Sequence, residues 1–201
     1  MILKVLLIKI LQPLDIIHKY YKPGTKLYDI YISHVTDVTN KALLVAQKHP
    51  ELAIDVKFLE EAGMLHDIGI FKTRAPHIAC EGNFPYICHG FLGRELLTQE
   101  GLPRHGMVCE RHTGTGLSLE TILQKKLPIP HRDMRPRSLE EKIICFTDKF
   151  YRSRFYNFTA FHLNRLRCGL DGEGIAAENQ GRKKEKHGKK QMSCMHNYCD
   201  F

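Results

Sequence analysis

The chain has 201 residues, 43% of them hydrophobic and 26% charged, enough to bury one sizeable core and ordinary for a globular protein. Its formal charge of +8 is uneven: residues 1–151 hold 20 Lys and Arg against 17 Asp and Glu, and residues 152–201 hold 10 against 5, so the charge does not mark the body as a nucleic-acid binder. Seven cysteines without a CxxC pair argue against a disulfide framework and a thiolate zinc site, and place the expected compartment in the reducing cytoplasm.

The opening run "MILKVLLIKILQP" is apolar but stops at Pro13, too short to cross a bilayer and without a small-residue cleavage site. It reads as a first helical turn or an over-extended start, and no membrane partner is expected. Residues 14–21, "LDIIHKYY", form a helix pattern ending at the Pro23-Gly24 turn. From Lys26 to His49, Ile30, Val35, Val38, Ala42, Val45 and Ala46 recur at helical steps, and Pro50 ends the run.

Asp55 is placed to cap a helix from Val56 to about Asp67, and a Gly- and Pro-containing loop follows to Pro85. Helices are expected over 86–101, stopped by Gly101, and over 102–114, opened by Pro103. A short one covers 118–127, and the Ser138–Glu141 capping box starts another that runs to about Tyr151. No segment alternates as a strand would. The expected class is therefore all-α, with a bundle preceded by an N-terminal helix or leader over 1–25.

Beyond Tyr151 the pattern breaks. Residues 169–200 carry five glycines and the basic run "GRKKEKHGKK", the composition of a poorly ordered tail. If nucleic acid is a partner at all, that tail is the expected contact.

Three helices bring ionisable groups into apolar company. His34 lies in register with Val38, Ala42 and Val45, while His66 and Asp67 close "AGMLHDIGIF", where Gly69 allows a close turn. Asp148 follows "IICF" on the last helix. Burial of these groups needs partners, and a divalent metal satisfies them together because imidazole and carboxylate are good ligands. Buried pairing, such as His34 with Asp148, is the competing arrangement, and it leaves the adjacent His66-Asp67 doublet poorly explained.

A histidine, then a His-Asp doublet within "HDIG", then a later aspartate resembles the HD-domain superfamily of metal-dependent phosphohydrolases. The resemblance covers about residues 26–152, with spacings of 32 residues from His34 to His66 and 81 from Asp67 to Asp148. It implies an HD-domain helical bundle whose metal ligands are His34, His66, Asp67 and Asp148. His89 in "ICHGFLG" and His112 in "CERHTG" match the places where two-metal members hold a second ion, with His105 as a rival to His112. The GYP motif of the cyclic-di-GMP phosphodiesterases is missing.

The same resemblance implies one or two divalent ions, among Fe, Mn, Co, Mg, Ni and Zn, and a metal-activated water that attacks phosphorus, with Asp67 and His66 at the catalytic centre. The expected partner is a small phosphorylated substrate, with a nucleotide preferred. By position, Lys149 beside Asp148, Arg111 beside His112, and Lys72 and Arg74 just past the doublet are candidate phosphate contacts. Rival functions are a catalytically idle HD module that senses a nucleotide or metal, and a di-iron HD oxygenase. The family continues into further amphipathic helices after its last aspartate, whereas residues 153–201 here read as a tail or the product of a shifted reading frame. The sequence carries no sign of oligomeric state.

Overall fold

A computed structural model describes residues 11–155, with side chains described to Tyr151. The expectations for the N-terminal run and the basic tail lie outside these residues. Seven α-helices carry the described part: α1 Pro13–Tyr20, α2 Lys26–Lys48, α3 Val56–Leu65, α4 His89–Gln99, α5 Pro103–Arg111, α6 Leu119–Gln124 and α7 Leu139–Phe155. The all-α class holds, and none of these helices is long and apolar enough to cross a membrane.

Side-chain caps start the helices as the sequence implies. Thr25 accepts from the Tyr28 amide, Asp55 Oδ1 from Phe58 at 3.0 Å, and Ser118 Oγ from Thr121 at 3.1 Å. At α7 half of the capping box forms: Ser138 Oγ accepts from the Glu141 amide at 3.2 Å. The Glu141 carboxylate does not return to Ser138 but accepts from the Arg137 amide and from Arg111. A buried guanidinium is a stronger partner for it than an amide at a helix end.

Helices α2, α3, α5 and α7 pack on one another, and α4 lies against α5. One apolar cluster joins Ile17, Tyr21, Tyr31, Val35, Leu65 and Leu97; a second joins Val38, Ala42, Leu59, Ala62, Val108 and Ile144. His34 falls on the α2 stripe between them, one turn before Val38. A third cluster, around Leu92, Ile122 and Met134, seats α6 and its flanking loops. Glu110, fully buried, receives Arg94 from α4 and Arg132 from the loop after α6, so three segments share one carboxylate.

Three boundaries differ from expectation. Helix α3 ends at Leu65, leaving His66 and Asp67 in the turn that follows. The segment 86–101 begins as a 3₁₀ turn, Tyr86–Cys88, before α4. The loop after the doublet contains a two-residue antiparallel pair, β1 Arg74–Ala75 with β2 Cys80–Glu81. Two residues cannot show the alternation by which a strand is read, so this pair carried no sequence signal.

Candidate metal centre

Five segments deliver six side chains to a common point. Helix α2 contributes His34, the turn after α3 contributes His66 and Asp67, α4 opens with His89, His112 follows the last residue of α5, and α7 contributes Asp148. All six are at most 9% exposed. Their spacing along the chain spans more than a hundred residues, so only packing brings them together.

Three of the imidazoles are oriented by one local device. His66, His89 and His112 place Nδ1 at 2.6–2.7 Å from the carbonyl oxygens of Gly63, Tyr86 and Cys109, each three residues earlier. The Gly63 and Cys109 carbonyls lie in the last turns of α3 and α5, where carbonyls lack a helical partner, and the ring Nδ1–H donates there; the Tyr86 carbonyl, which also accepts the His89 amide, serves His89 in the same way. Nε2 is thereby kept as the lone-pair atom facing the centre, the support that metal-ligating histidines need.

Asp67 divides the donors into two sets. Its Oδ2 lies 3.3 Å from His34 Nε2 and 3.8 Å from His66 Nε2. Its Oδ1 lies 3.2 Å from His112 Nε2 and 3.6 Å from His89 Nε2. Asp148 Oδ1 joins the first set, 3.1 Å from His34 Nε2 and 3.8 Å from His66 Nε2. The triples His34–His66–Asp67 and Asp67–His89–His112 each gather their ligand atoms within 4.8 Å of one another.

The metal-free arrangement is not self-sufficient. His66 Nε2 and Asp67 Oδ1 are buried without a hydrogen bond, although His34 and Asp148 do pair. His89 Nε2 and His112 Nε2 stand 3.2 Å apart; with both rings donating through Nδ1 their lone pairs would face each other, a contact that a shared proton or a metal ion relieves. No Lys or Arg lines the pocket that holds Asp67, among the described residues. Buried imidazoles and carboxylates in two sets sharing one carboxylate fit divalent metal ions.

Electrostatics follow the same geometry. Burial pushes the Asp67 carboxyl up, but the facing His66, His112, His34 and His89 overcome it and hold it well below the usual range. Asp148 is held low in the same way, chiefly by His34 at 3.1 Å and the facing His66, acting against burial. Burial alone would lower His34, yet hydrogen bonds to Asp148 and Asp67 raise it from 6.5 to about 10.

A raised histidine contributes stability that is complete below its unfolded value and lost as pH rises through its folded one. Metal-free protein should therefore lose thermal stability between pH 6.5 and about 10. Metal-loaded protein, in which His34 is neutral and ligating, should lose less over that window. Thermal midpoints against pH, with and without chelator, give the comparison; a flat metal-free profile would contradict this account of His34.

The profile of the HD domain matches residues 31–153, which hold all six groups. The chain belongs to the HD-domain family. An uncharacterized protein of Methanocaldococcus jannaschii is 32% identical over 120 residues, covering 58% of this chain and 63% of that protein. A tRNA (cytidine(56)-2'-O)-methyltransferase of Picrophilus torridus is 32% identical over 121 residues, covering 60% of this chain and 31% of that protein. The matched stretch is thus less than two thirds of either relative, and no solved structure matches.

Other residues singled out in the sequence lie elsewhere on the HD domain. His105 faces Glu61 at 3.2 Å and packs edge-on to the Phe58 ring, outside the centre. Arg111 is buried, with Nη1 at 2.9 and 3.1 Å from the two Glu141 oxygens; its charge is taken up there, which replaces the expected phosphate contact. Lys72 lies over the Phe71 ring, and Arg74 and Lys149 are exposed. None of these four lines the pocket over Asp67.

The sequence did not point to the apolar wall of that pocket, made by Ile30, Tyr31, Ile70, Ile78 and Tyr86. A partial signal existed. Ile30 is four residues before His34, on one helical face, and Tyr86 is one turn before His89.

Proposed function

We propose that this HD domain holds two divalent metal ions and hydrolyses a phosphoester or phosphoanhydride, with a nucleotide as the substrate class. The observation that carries this reading is the division of Asp67: one carboxylate oxygen faces His34 and His66, the other His89 and His112. His34, His66, Asp67 and Asp148 would hold one ion, and Asp67, His89 and His112 the other. When bound, the ions supply Lewis acidity toward a phosphoryl oxygen and lower the pKa of the attacking water.

The chain's own residues do the positioning. The carbonyls of Gly63, Tyr86 and Cys109 keep three imidazole Nε2 atoms unprotonated and aimed inward. Asp67 and Asp148, held ionised, supply the negative charge that divalent ions require. The apolar wall limits bulk water beside the reacting phosphate. Lys72 and Lys149, outside the pocket, are proposed as steering charges for an anionic substrate rather than as phosphate ligands.

The tRNA-modifying name of the Picrophilus relative supports a nucleotide-type substrate. Among the described residues, the buried thiols of Cys80, Cys88 and Cys109 support a reducing, cytoplasmic setting.

Metal content tests the two-ion reading. Elemental analysis of the full chain, purified without chelator, is expected to give about two equivalents, falling to about one in His112→Ala. A single equivalent in the unaltered protein would overturn the second site.

A further inference from the structure

We infer that the substrate is a phosphomonoester carrying a single phosphate, with an apolar or planar leaving group, and not a polyphosphate. This inference rests on the two-metal hydrolase reading above and narrows its substrate.

Charge balance is the first argument. Two divalent ions against the carboxylates of Asp67 and Asp148 leave two positive charges, which one phosphomonoester dianion neutralises. A tri- or tetraphosphate bridge would add further negative charge. Among the described residues, no Lys or Arg lines the pocket to receive it. The nearest arginine in sequence to a ligand, Arg111, is already bound by Glu141. Uncompensated charge against this mostly apolar, half-open lining is costly.

The wall is the second argument. On one side of the pocket stand five of the proposed ligands, His34, Asp67, His89, His112 and Asp148, and the rest of its lining is Ile30, Ile70, Ile78, Tyr31 and Tyr86. Ile30 and Tyr86 are half-buried and remain reachable, whereas Tyr31 is fully buried and forms the back of the wall. The Tyr86 ring leans over His89, with centroids 4.7 Å apart at 36°. A group attached to a phosphate held at the ions therefore meets aliphatic carbon and an aromatic edge. Nucleobases and other planar or apolar groups gain from such burial, and further phosphates do not.

The reaction balances simply. A water oxygen bonds to phosphorus as the ester P–O bond breaks; one proton passes to the leaving oxygen and the other stays on hydrogen phosphate.

Calorimetric titration of the metal-loaded full chain tests this without turnover. The probes are methylphosphonate, phenylphosphonate, inorganic phosphate and inorganic tripolyphosphate. Phenylphosphonate is expected to bind at least about tenfold tighter than methylphosphonate, the scale of burying one aromatic face. Tripolyphosphate should show no gain over inorganic phosphate. In Ile30→Lys, which puts a cation on the wall without touching a ligand, the phenyl preference should fall and tripolyphosphate affinity should rise.

Equal affinity for the two phosphonates, or tighter binding of tripolyphosphate by the unaltered protein, would overturn the inference while leaving the hydrolase reading standing. No binding of any phosphonate or phosphate by metal-loaded protein would overturn both.

Discussion

Asp67→Ala should abolish metal retention and hydrolysis together. Asp67 is the one side chain whose two oxygens face both histidine sets, at 3.2–3.8 Å. Removing it takes an anion from each proposed ion and leaves His89 and His112 without the carboxylate that faces them, while His34 and His66 keep only Asp148. Loss of a shared ligand differs from loss of a terminal one, because neither half can close around its ion alone. Elemental analysis should find almost no metal, and phosphatase activity should drop at least about a thousandfold, equivalent to ~4 kcal/mol of barrier. His105→Gln gives the control, since His105 is buried but pairs with Glu61 away from the centre. It should keep both properties. Full activity in Asp67→Ala would refute the mechanism proposed for this site.

Gly69→Ala should be the most damaging single-methyl change near the centre. The backbone at Gly69 has an ordinary negative φ of −81°, so a left-handed turn is not what calls for glycine. Room is. A Cβ there would lie 2.2 Å from the His89 carbonyl oxygen and 2.5 Å from the Gly93 amide nitrogen, both backbone atoms.

Neither atom can swing aside as a side chain would, so α4 must move away from the turn that carries Asp67. The cost should reach or exceed the ~1–3 kcal/mol typical of overpacking. Because His89 opens α4, the second metal should be lost before the first. A lowered thermal midpoint with metal content falling from two equivalents toward one is the expected outcome. An unchanged midpoint would show that the contact between the turn and α4 is looser than these distances imply.

The helices were legible because their signals are local. Apolar residues recur at helical steps through α2, and Thr25, Asp55, Ser118 and Ser138 supply capping oxygens within three residues of the amides they bind. The segment from Ile68 to Pro85 was legible only as a loop. Its backbone pairs across the hairpin, with Arg74 N donating to Phe84 O at 2.8 Å and Gly82 N to Thr73 O at 2.9 Å, and no short-range pattern announces such bonds.

Sequence adjacency misled at Arg111. Neighbours on a helix point about 100° apart, so a residue next to a ligand is seldom aimed where the ligand is. Arg111 turns to Glu141 while His112 turns inward, and Lys149 is exposed while Asp148 is buried.

By itself the sequence singled out His34, His66, Asp67 and Asp148 as candidate donors: imidazoles and carboxylates on apolar faces, with the His-Asp doublet at a helix end, cannot be buried without partners. It determined the helical class as well, since periodicity and caps act within a few residues. Tertiary structure alone decided that Asp67 shares its two oxygens between two histidine sets, that Arg111 is bound by Glu141, and that isoleucines and tyrosines form the facing wall. Those outcomes depend on side-chain directions and on contacts between segments far apart in the chain, which packing sets and local sequence does not encode.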